Sequence, residues 1–372
     1  MRVVALGAGG VMGRFGVRDL ASKDSVEEIL IADYDLKAAQ AVASELGSKC
    51  SAKKVDANNH DEMVDTVRGY DVAMGTIGPF YKYEKKVARA CIDAGVNYVS
   101  ICDDYDAAAA FLELDDDARK AGVTAITGVG WTPGITNMLA RMGADRFDEV
   151  ESINVAWGCH TSDTEGKAVT FHAIHIFAGC VPSFQEGRMA WIDAGSQREL
   201  MRFPAPVGEV FVYHLGHPEP VTIPRYINAR TVTLKGGLKE NYFNILSILM
   251  SRLRLSTSLL GTELLSRFFN AILPVLEKLD RPSETASACR VDITGKVGGK
   301  WEHLAYGAVA HMDKLTCLPT SIVVQMVGEG LITDKGALPP EACVDPKEFL
   351  KRLAEGGVRI YEGDEMVKPL EV

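Results

Sequence analysis

Short apolar runs alternate with helical patterns across the first 130 residues, and this rhythm constrains the fold more than any other feature. The runs RVVALG, EEILIAD, AKKVDA, YDVAMGTIG, VNYVSIC and VTAITGVG begin at residues 2, 27, 52, 70, 96 and 123. The intervening patterns predict helices over 10–22, 35–46, 59–68, 82–94 and 105–121. Strands that are apolar nearly throughout are buried on both faces, as in parallel sheets covered by helices. The sequence therefore predicts an α/β fold with a Rossmann doubly wound parallel sheet.

The alternation stops after GWTPG at 130–134. Residues 150–236 are predicted to be rich in strands, followed by helices over 238–251 and 257–277. A hairpin around Gly298 and Gly299 is predicted over 289–310, and a helix over 319–329. We therefore expect three segments: an NAD(P)-binding Rossmann domain over 1–128, a mixed α+β substrate and dimerisation domain with an antiparallel sheet over 129–336, and a C-terminal segment over 337–372 that packs back on the first domain.

Charge and cysteine content narrow the class of protein. The 372 residues carry a formal net charge of −10, which argues against nucleic acid as a partner. The eight cysteines show no CxxC spacing, so we expect reduced thiols in the cytoplasm and no metal site. Neither a signal peptide nor a membrane span is expected, because the start lacks a long apolar region and charged residues interrupt the apolar stretch 242–276. That stretch is the best candidate for a homodimer interface.

The segment GAGGVMG, residues 7–13, follows the first strand and opens the first helix. Gly7 would allow the tight turn, while Gly9 and Gly10 would let the backbone approach a pyrophosphate. The amides of Val11 and Met12 would then face the phosphates at the helix N-terminus. Met12 occupies the place of the usual third glycine or alanine, so its thioether is expected to pack the helix on the first strand. The alternative is a packing turn without a ligand.

Polar and small residues end the following strands, where a dinucleotide would lie. Asp33 ends the second strand and is predicted to bind the adenosine ribose, which favours NAD over NADP unless Lys37 offsets the repulsion of a 2′-phosphate. The alternative is that Asp33 caps a helix, a role that Asp35 serves equally well. Asp56 would face the adenine. The nicotinamide half is assigned to the end of the fourth strand, at Thr76, Gly78 and Pro79.

These features occur together with two longer motifs. The segments GPFYKYEKKVARACIDAGVNYVS and GVGWTPGITNMLAR make the sequence resemble the saccharopine dehydrogenase-like oxidoreductases. That family includes saccharopine reductases, lysine 6-dehydrogenases and carboxynorspermidine dehydrogenases. The resemblance is strong over 1–142 and looser over 217–226 and 315–358. It implies two domains with an active site in a cleft between them, and hydride transfer between NAD(P) and a carbon that bears an amine. Many relatives carry an aspartate where this chain has Ser100, which leaves the substrate open.

The segment ICDDYD, residues 101–106, supplies candidates for the chemistry. Asp103 or Asp104 would anchor a substrate ammonium group or act as a general base, and Tyr105 would donate a hydrogen bond. The alternative is that these acids cap the next helix. Tyr81 is a further candidate for the nicotinamide pocket. The resemblance assigns Trp131, Thr132 and Pro133 to the substrate side of the cleft, and Arg225 is a candidate for binding a substrate carboxylate.

The proposed substrate is an amino acid or opine-type compound, with lysine 6-dehydrogenase-like or saccharopine reductase-like chemistry. One alternative is a non-catalytic sensor that binds NAD(P). Another is a hydroxyl or aldehyde dehydrogenase that uses Tyr81 and Lys85, although their place after the fourth strand is not typical of such enzymes. The pairs His172 and His175, and His214 and His217, are not completed to a zinc motif by neighbouring ligands.

Overall fold

The computed structural model describes residues 1–163, 175–252 and 285–371. The chain forms two compact units, of which the first comprises 1–138 and 313–356 and the second 139–312 and 357–372. These limits differ from the expected 1–128, 129–336 and 337–372. Residues 313–336 join the first unit rather than the second, and the last sixteen residues join the second unit. Strand pairing contributes to both differences, because residues 336–338 pair with the first sheet and residues 359–362 with the second, which the sequence of a short strand does not reveal.

The first unit contains a seven-stranded sheet. Its strands are β1 (Arg2–Leu6), β2 (Glu28–Asp33), β3 (Cys50–Lys54), β4 (Val72–Gly75), β5 (Asn97–Ser100), β6 (Thr124–Ile126) and β15 (Gly336–Leu338). Every neighbouring pair is parallel, and the order across the sheet is β15-β6-β5-β4-β1-β2-β3. This is the doubly wound Rossmann order with one strand added beside β6, so the predicted fold is confirmed. The order reverses between β1 and β4, and ligands of such sheets bind outside the strand ends at that point.

Helices follow the strands of this unit largely as predicted, although the helix predicted over 319–329 spans Met312–Gly328. They are α1 (Val11–Ala21), α2 (Leu36–Leu46), α3 (His60–Val67), α4 (Phe80–Asp93), α5 (Tyr105–Leu112), α6 (Asp115–Ala121), α10 (Met312–Gly328), α11 (Pro340–Cys343) and α12 (Pro346–Glu355). The helix predicted over 105–121 is two helices, because α5 ends at Leu112 and α6 starts at Asp115. Leu114 between them is buried in the core, so an unbroken apolar pattern conceals the break.

The second unit contains a ten-stranded sheet. Its elements are α7 (Ile135–Ala144, which starts in the first unit), β7 (Glu149–Cys159), β8 (Cys180–Gln185), β9 (Arg188–Asp193), β10 (Glu199–Arg202), β11 (Glu209–His214), α8 (Glu219–Tyr226), β12 (Ala229–Leu238), α9 (Asn241–Arg252), β13 (Ser287–Val297), β14 (Lys300–Ala310), β16 (Arg359–Glu362) and β17 (Lys368–Pro369). The main path runs β10-β11-β12-β7-β13-β14-β16-β17, and β8 joins β12 and β9 at its side.

This second sheet is mixed rather than antiparallel. The strands β7 and β12 pair in parallel, whereas the other pairs are antiparallel. The long connection between β7 and β12 allows the parallel pairing, which needs a crossover rather than a tight turn. The predicted hairpin is confirmed: β13 and β14 pair along their full length, and the turn glycines Gly298 and Gly299 have φ of 57° and 79°. Positive φ at both turn positions is the requirement of the common two-residue hairpin turn.

None of the helices that the structure describes is long and apolar enough to cross a membrane. The helix predicted over 238–251 is observed as α9, Asn241–Arg252. The helix predicted over 257–277 lies outside the described residues, as do His172 and most of the stretch 242–276.

Candidate functional site

The glycine-rich turn joins β1 to α1 and leaves backbone amides exposed at the helix start. Gly7 has φ of 83°, and its amide donates to the Ala32 carbonyl at 2.8 Å, so the turn is fixed to the end of β2. Gly10 is the N-cap residue of α1, and the first turn of the helix carries no acidic side chain. The first amides of a helix have no partner within it. Val11 is half exposed at this end, so the turn offers donors to an anion.

Gly13, and not Met12, provides the close contact between α1 and the strands. A Cβ atom on Gly13 would lie 2.6 Å from Ala8 Cα and 2.6 Å from Thr76 Oγ1. The Met12 side chain instead packs against a small cluster that includes Phe80 and Ile101. The expectation that a thioether replaces the glycine contact is therefore wrong. The third glycine of the fingerprint is present one residue later, and it still allows the helix to approach the turn closely.

The turn fits a pyrophosphate group by its shape as well as by its amides. A Cβ atom on Gly9 would lie 2.9 Å from Asp33 Oδ2, whereas one on Gly10 would meet nothing closer than the Gly7 carbonyl at 3.4 Å. A side chain at either position would project from the backbone that a phosphate must approach. Gly7, Gly9, Gly10, Val11 and Met12 are thus the residues that would hold the pyrophosphate of a dinucleotide.

Asp33 connects this turn to the end of β2. Its Oδ2 accepts from the Gly9 amide at 3.0 Å and its Oδ1 accepts from the Asp35 amide at 2.9 Å. Helix α2 is capped by Asp35, which accepts from the amides of Lys37 and Ala38. The helix therefore does not need Asp33 as its cap. The carboxylate is half-buried beside the glycine turn, where the adenosine ribose of a dinucleotide is expected.

Asp56 and Tyr34 lie further along the same edge of the sheet. Asp56 accepts from the amide and the side chain of Asn58, so it fixes the loop after β3. Tyr34 was not singled out from the sequence, yet its side chain is 68% exposed and Lys54 Nζ lies 5.1 Å from the centre of its ring. The sequence contains one signal that could have drawn attention to Tyr34, namely its place directly after Asp33. The assignment of Asp56 to the adenine remains a prediction.

The end of β4 forms a turn that leads into α4. Thr76 donates from both its amide and its Oγ1 to the Leu6 carbonyl, at 2.8 and 2.9 Å, so its side chain is tied to β1. Gly78 and Pro79 form a cis peptide bond, and Pro79 is the N-cap residue of α4. These residues lie beside the glycine turn, across the point where the strand order reverses. Their assignment to the nicotinamide half remains a prediction.

Asp104 joins the ends of β4 and β5. It is 1% exposed, and its Oδ2 accepts from the Tyr81 amide in the first turn of α4 at 2.9 Å. Asp104 is the N-cap residue of α5, but its side chain makes no capping bond to that helix. The Asp104 side chain therefore does not cap the helix that follows it, as the alternative expected, but accepts from an amide of α4. Asp103 and Tyr105 on either side are half-buried.

The environment of Tyr81 keeps its hydroxyl group protonated. Burial and the nearby carboxylates of Asp104 and Asp106 raise the pKa of Tyr81 above its ordinary value of 10.0. The phenol is thus suited to donating a hydrogen bond, and poorly suited to acting as a base. Lys85, its partner in the alternative Tyr-x-x-x-Lys assignment, instead pairs with Glu113 at 2.5 Å.

A buried carboxyl group that sequence reasoning missed lies beneath this edge. Glu84 on α4 is 1% exposed and accepts from Tyr98 Oη at 3.0 Å, Ser100 Oγ at 2.5 Å and Thr127 Oγ1 at 2.9 Å. Burial raises the pKa of Glu84 from 4.5 to about 7, against the effect of the three hydroxyl donors. The sequence contains a signal for this burial, because the helical period places Glu84 on the same face of α4 as Phe80, Val87 and Cys91, which are buried.

The predicted substrate residues occupy two different settings. Trp131, Thr132 and Pro133 lie in a buried turn of the first unit, where the Gly130 amide donates to the Pro133 carbonyl at 2.8 Å. Arg225 is exposed in the last turn of α8, in the second unit, and makes no ion pair with the residues that the structure describes. The substrate roles of all four residues remain predictions.

Within the described ranges, one group of side chains has the spacing of metal ligands: Asp292, His303 and Asp364. Both oxygens of Asp292 already accept from Arg290, from Nε and Nη2 at 2.7 Å each. This network borders a cavity of about 380 Å³ on the second sheet, whose cations Arg202, Lys235 and Arg290 are all paired with carboxylates. The arrangement is that of a structural ion-pair network.

Comparison with known proteins agrees with this geometry. Residues 3–126 match the family model described as the saccharopine dehydrogenase NADP binding domain. The chain is 24% identical to carboxynorspermidine synthase from Vibrio alginolyticus, with 96% of each chain covered. It is 23% identical to carboxyaminopropylagmatine dehydrogenase from Synechocystis sp., with 97% of each covered. Saccharopine dehydrogenase (L-Glu forming) from Saccharomyces cerevisiae shares the fold, with a TM-score of 0.68, 17% identity, and coverage of 97% of this chain and 99% of that one.

The doubly wound sheet, its glycine turn and the matching dinucleotide-binding family define an NAD(P)-dependent oxidoreductase. Two of the relatives align along nearly the whole chain, and they narrow the kind of oxidoreductase to which it is similar. Residues 3–126 match the saccharopine dehydrogenase NADP binding domain, and the chain is similar over nearly its whole length to two synthase and dehydrogenase relatives, so the sequence resemblance is confirmed. The alternative of a non-catalytic sensor finds no support among these relatives.

Proposed function

We propose that the protein acts on the C–N bond of a carboxylated amine, an amino acid or opine-type compound, by hydride transfer. Oxidation gives an imine, which water hydrolyses to a carbonyl compound and an amine; in the reverse direction these two condense with loss of water and the imine is reduced. The observation that carries this proposal is the alignment along nearly the entire chain with two relatives named for carboxylated polyamine or agmatine compounds. Saccharopine reductase-like chemistry on a secondary amine is favoured over lysine 6-dehydrogenase-like chemistry by these names. The bound dinucleotide supplies the hydride donor or acceptor.

The residues of the chain divide the remaining work. Oxidation of an amine to an imine removes one proton from nitrogen, and reduction returns it. Asp103, half-buried at the end of β5, is assigned to the substrate nitrogen, as ammonium anchor and proton acceptor. Tyr81 retains its proton and donates a hydrogen bond, because its pKa is raised. Asp104 positions Tyr81 by accepting the hydrogen bond from its backbone amide.

Substrate contacts are assigned to the residues predicted from the sequence. Tyr105, beside Asp104 at the start of α5, would donate a hydrogen bond to the substrate. Arg225 would bind a substrate carboxylate through its two-pronged guanidinium group, which fits two carboxylate oxygens. The turn Trp131–Pro133 would shape the pocket.

Dinucleotide choice follows from the end of β2. The Asp33 carboxylate is held by two amides beside the glycine turn, so a 2′-phosphate there would meet a fixed negative charge. We therefore assign NAD as the preferred cofactor. NADP is the alternative, since the family model that matches residues 3–126 is an NADP binding domain and the charges of Lys37, after β2, and Lys54, at the end of β3, would offset part of the repulsion.

Cellular setting and assembly are further parts of the proposal. All eight cysteines lie among the residues that the structure describes and none forms a disulfide, which fits the reducing cytoplasm. Homodimer formation is supported by helix α9, where Tyr242, Ile245 and Leu249 are 42%, 55% and 53% exposed and lie on one helical face. Light scattering of the wild type and of Ile245→Glu tests it: a wild-type monomer would contradict a dimer.

The test of function follows reduced-nicotinamide absorbance with NADH and NADPH. Substrates would be a panel of carboxylated secondary amines, amino acids, and pairs of an amine with a carboxylated aldehyde. Hydroxy acids form the matched control panel. Turnover on the amines alone is expected, and the variant Asp103→Asn should lose about a hundredfold or more in kcat/KM with dinucleotide affinity retained. Turnover on hydroxy acids but on no amine would overturn the proposal.

A further inference from the structure

The Glu84 cluster connects three elements that approach the dinucleotide site. Glu84 itself lies in the second turn of α4, while its partners Tyr98 and Ser100 lie on β5 and Thr127 directly follows β6. The cluster requires space at the end of β4, because a Cβ atom on Gly75 would lie 2.2 Å from Tyr98 Oη. One carboxyl group thus fastens a helix to the ends of neighbouring strands.

The first turn of the same helix is the one assigned to the nicotinamide half. Pro79 caps α4 and Tyr81 follows in its first turn, so Glu84 lies about one turn beyond them on the same helix. Asp104 accepts a hydrogen bond from the Tyr81 amide at the start of α4, and Glu84, one turn later, accepts one from Ser100 Oγ on β5. Neither carboxyl group is accessible, since each is 1% exposed. Glu84 is therefore placed to act through the helix, without contact with substrate or dinucleotide.

We propose that Glu84 is a positioning residue for dinucleotide binding: its ionised carboxylate fastens α4 to the ends of β5 and β6 and so holds the Gly78–Tyr81 turn in its binding geometry. This inference rests on the proposed placement of the nicotinamide half at that turn. The hydrogen-bond pattern determines which charge state is the competent one. Three hydroxyl groups donate to the two carboxylate oxygens, and a protonated carboxyl group must turn one of those hydroxyls into an acceptor. Protonation thus weakens the connection.

The thiols and the phenol near Glu84 do not change charge around neutral pH. Burial raises the pKa of the Cys91 thiol on α4 and, together with Glu84, that of the Tyr98 phenol on β5. Burial and the neighbouring acids raise the pKa of the Cys102 thiol after β5. The Asp104 carboxylate, at the start of α5, raises the pKa of Glu84 further. Thr127 contributes a hydroxyl group that does not titrate. Glu84 is thus the group in this cluster whose charge changes between pH 6 and 8.

The experiment measures the Kd of NADH by calorimetry between about pH 5.5 and 8.5. NADH avoids the 2′-phosphate of NADPH, which titrates in the same range. Wild-type affinity is expected to fall about tenfold as pH decreases through about 7, the effect of losing one hydrogen bond to a charged group. Glu84→Gln should bind about tenfold more weakly at pH 8 and lose the pH dependence. Glu113→Gln is the matched control, since it removes the exposed ion pair between Glu113, at the end of α5, and Lys85 on α4, the helix that carries Glu84.

Two further arms separate positioning from a general loss of structure. ADP-ribose, which lacks the nicotinamide, should bind Glu84→Gln and wild type equally. Tyr98→Phe removes one donor to the carboxylate, so the midpoint of the NADH profile should move to higher pH. If Glu84→Gln does not fold, the midpoint of the NADH profile of Tyr98→Phe tests the inference instead. A pH-independent NADH Kd in wild type, or a Glu84→Gln profile identical to it, overturns the inference. Failure of wild type to bind either dinucleotide at any pH would instead overturn the assigned site.

Discussion

Buried Glu84 makes the stability of the first unit depend on pH, and the size of the effect follows from its two pKa values. Burial raises the pKa from 4.5 to about 7 in the folded chain. Folded chains therefore bind more protons than unfolded chains between these values. The associated stability is fully present below the ordinary pKa and is lost as pH rises through the folded one. At about 1.4 kcal/mol per pKa unit, ionisation costs the folded state about 3 kcal/mol in full.

The perturbation is Glu84→Gln, which retains shape and cannot ionise. The free energy of unfolding of wild type relative to this variant should fall by about 2 kcal/mol between pH 5.5 and 8, the part of the full effect within that range. Urea unfolding of both proteins at several pH values measures the difference, and pairing the two proteins cancels the contributions of all other groups. Infrared spectroscopy adds a direct readout, because the protonated carboxyl band of wild type should disappear with a midpoint near pH 7.

A constant difference between the two proteins across this pH range would refute the reasoning. It would mean that Glu84 keeps one charge state throughout, either because water reaches it or because the three hydroxyl donors outweigh burial. The control Glu113→Gln should show no comparable slope, since its carboxylate is exposed and screened by solvent.

Several other predictions concern the turn and strand ends. Gly13→Ala should destabilise the first unit by about 2 kcal/mol in urea unfolding, because its Cβ would meet backbone at 2.6 Å; an unchanged midpoint would contradict the close contact. Gly10→Ala, whose Cβ would make only an ordinary contact with the Gly7 carbonyl at 3.4 Å and whose φ is −77°, should keep its stability and weaken NADH binding at least tenfold, as calorimetry would show. Asp33→Ala should raise NADPH affinity relative to NADH about tenfold; an unchanged ratio would remove Asp33 from cofactor choice. Gly75→Ala should unfold at lower urea concentration than wild type by displacing the Tyr98 phenol, and an unaltered NADH pH profile in that variant would contradict the role of the cluster.

Much of the first unit could be predicted because its signals are local. Apolar strands with helices between them define the parallel sheet, and the glycine turn, Asp33 and the strand ends lie on one edge because parallel strands end at the same side. The candidate catalytic segment at 101–106 was found for the same reason. These statements depend on residues close together in sequence, and short-range patterns report them directly.

Other features depend on contacts between distant segments, which no local pattern contains. Long-range strand pairing places β12 parallel to β7. It also places β15 in the first sheet, beside β6, and β16 in the second, beside β14. Gly13 could be recognised as the third fingerprint glycine only once Ala8 and Thr76 were seen against it. Asp104 looked like a cap for its own helix, and packing gave it the Tyr81 amide instead.

The sequence by itself determined the class of this protein, since a glycine turn after the first strand and an acid at the next strand end are the local features with which such a sheet binds a dinucleotide. Tertiary structure alone decided the state of the charges there. Glu84 titrates near neutral pH because the fold removes it from water, and this effect exceeds the opposing one of three hydroxyl donors from β5 and the end of β6. The helix period places Glu84 on the buried face of α4, but the balance between desolvation and these donors depends on the packed chain.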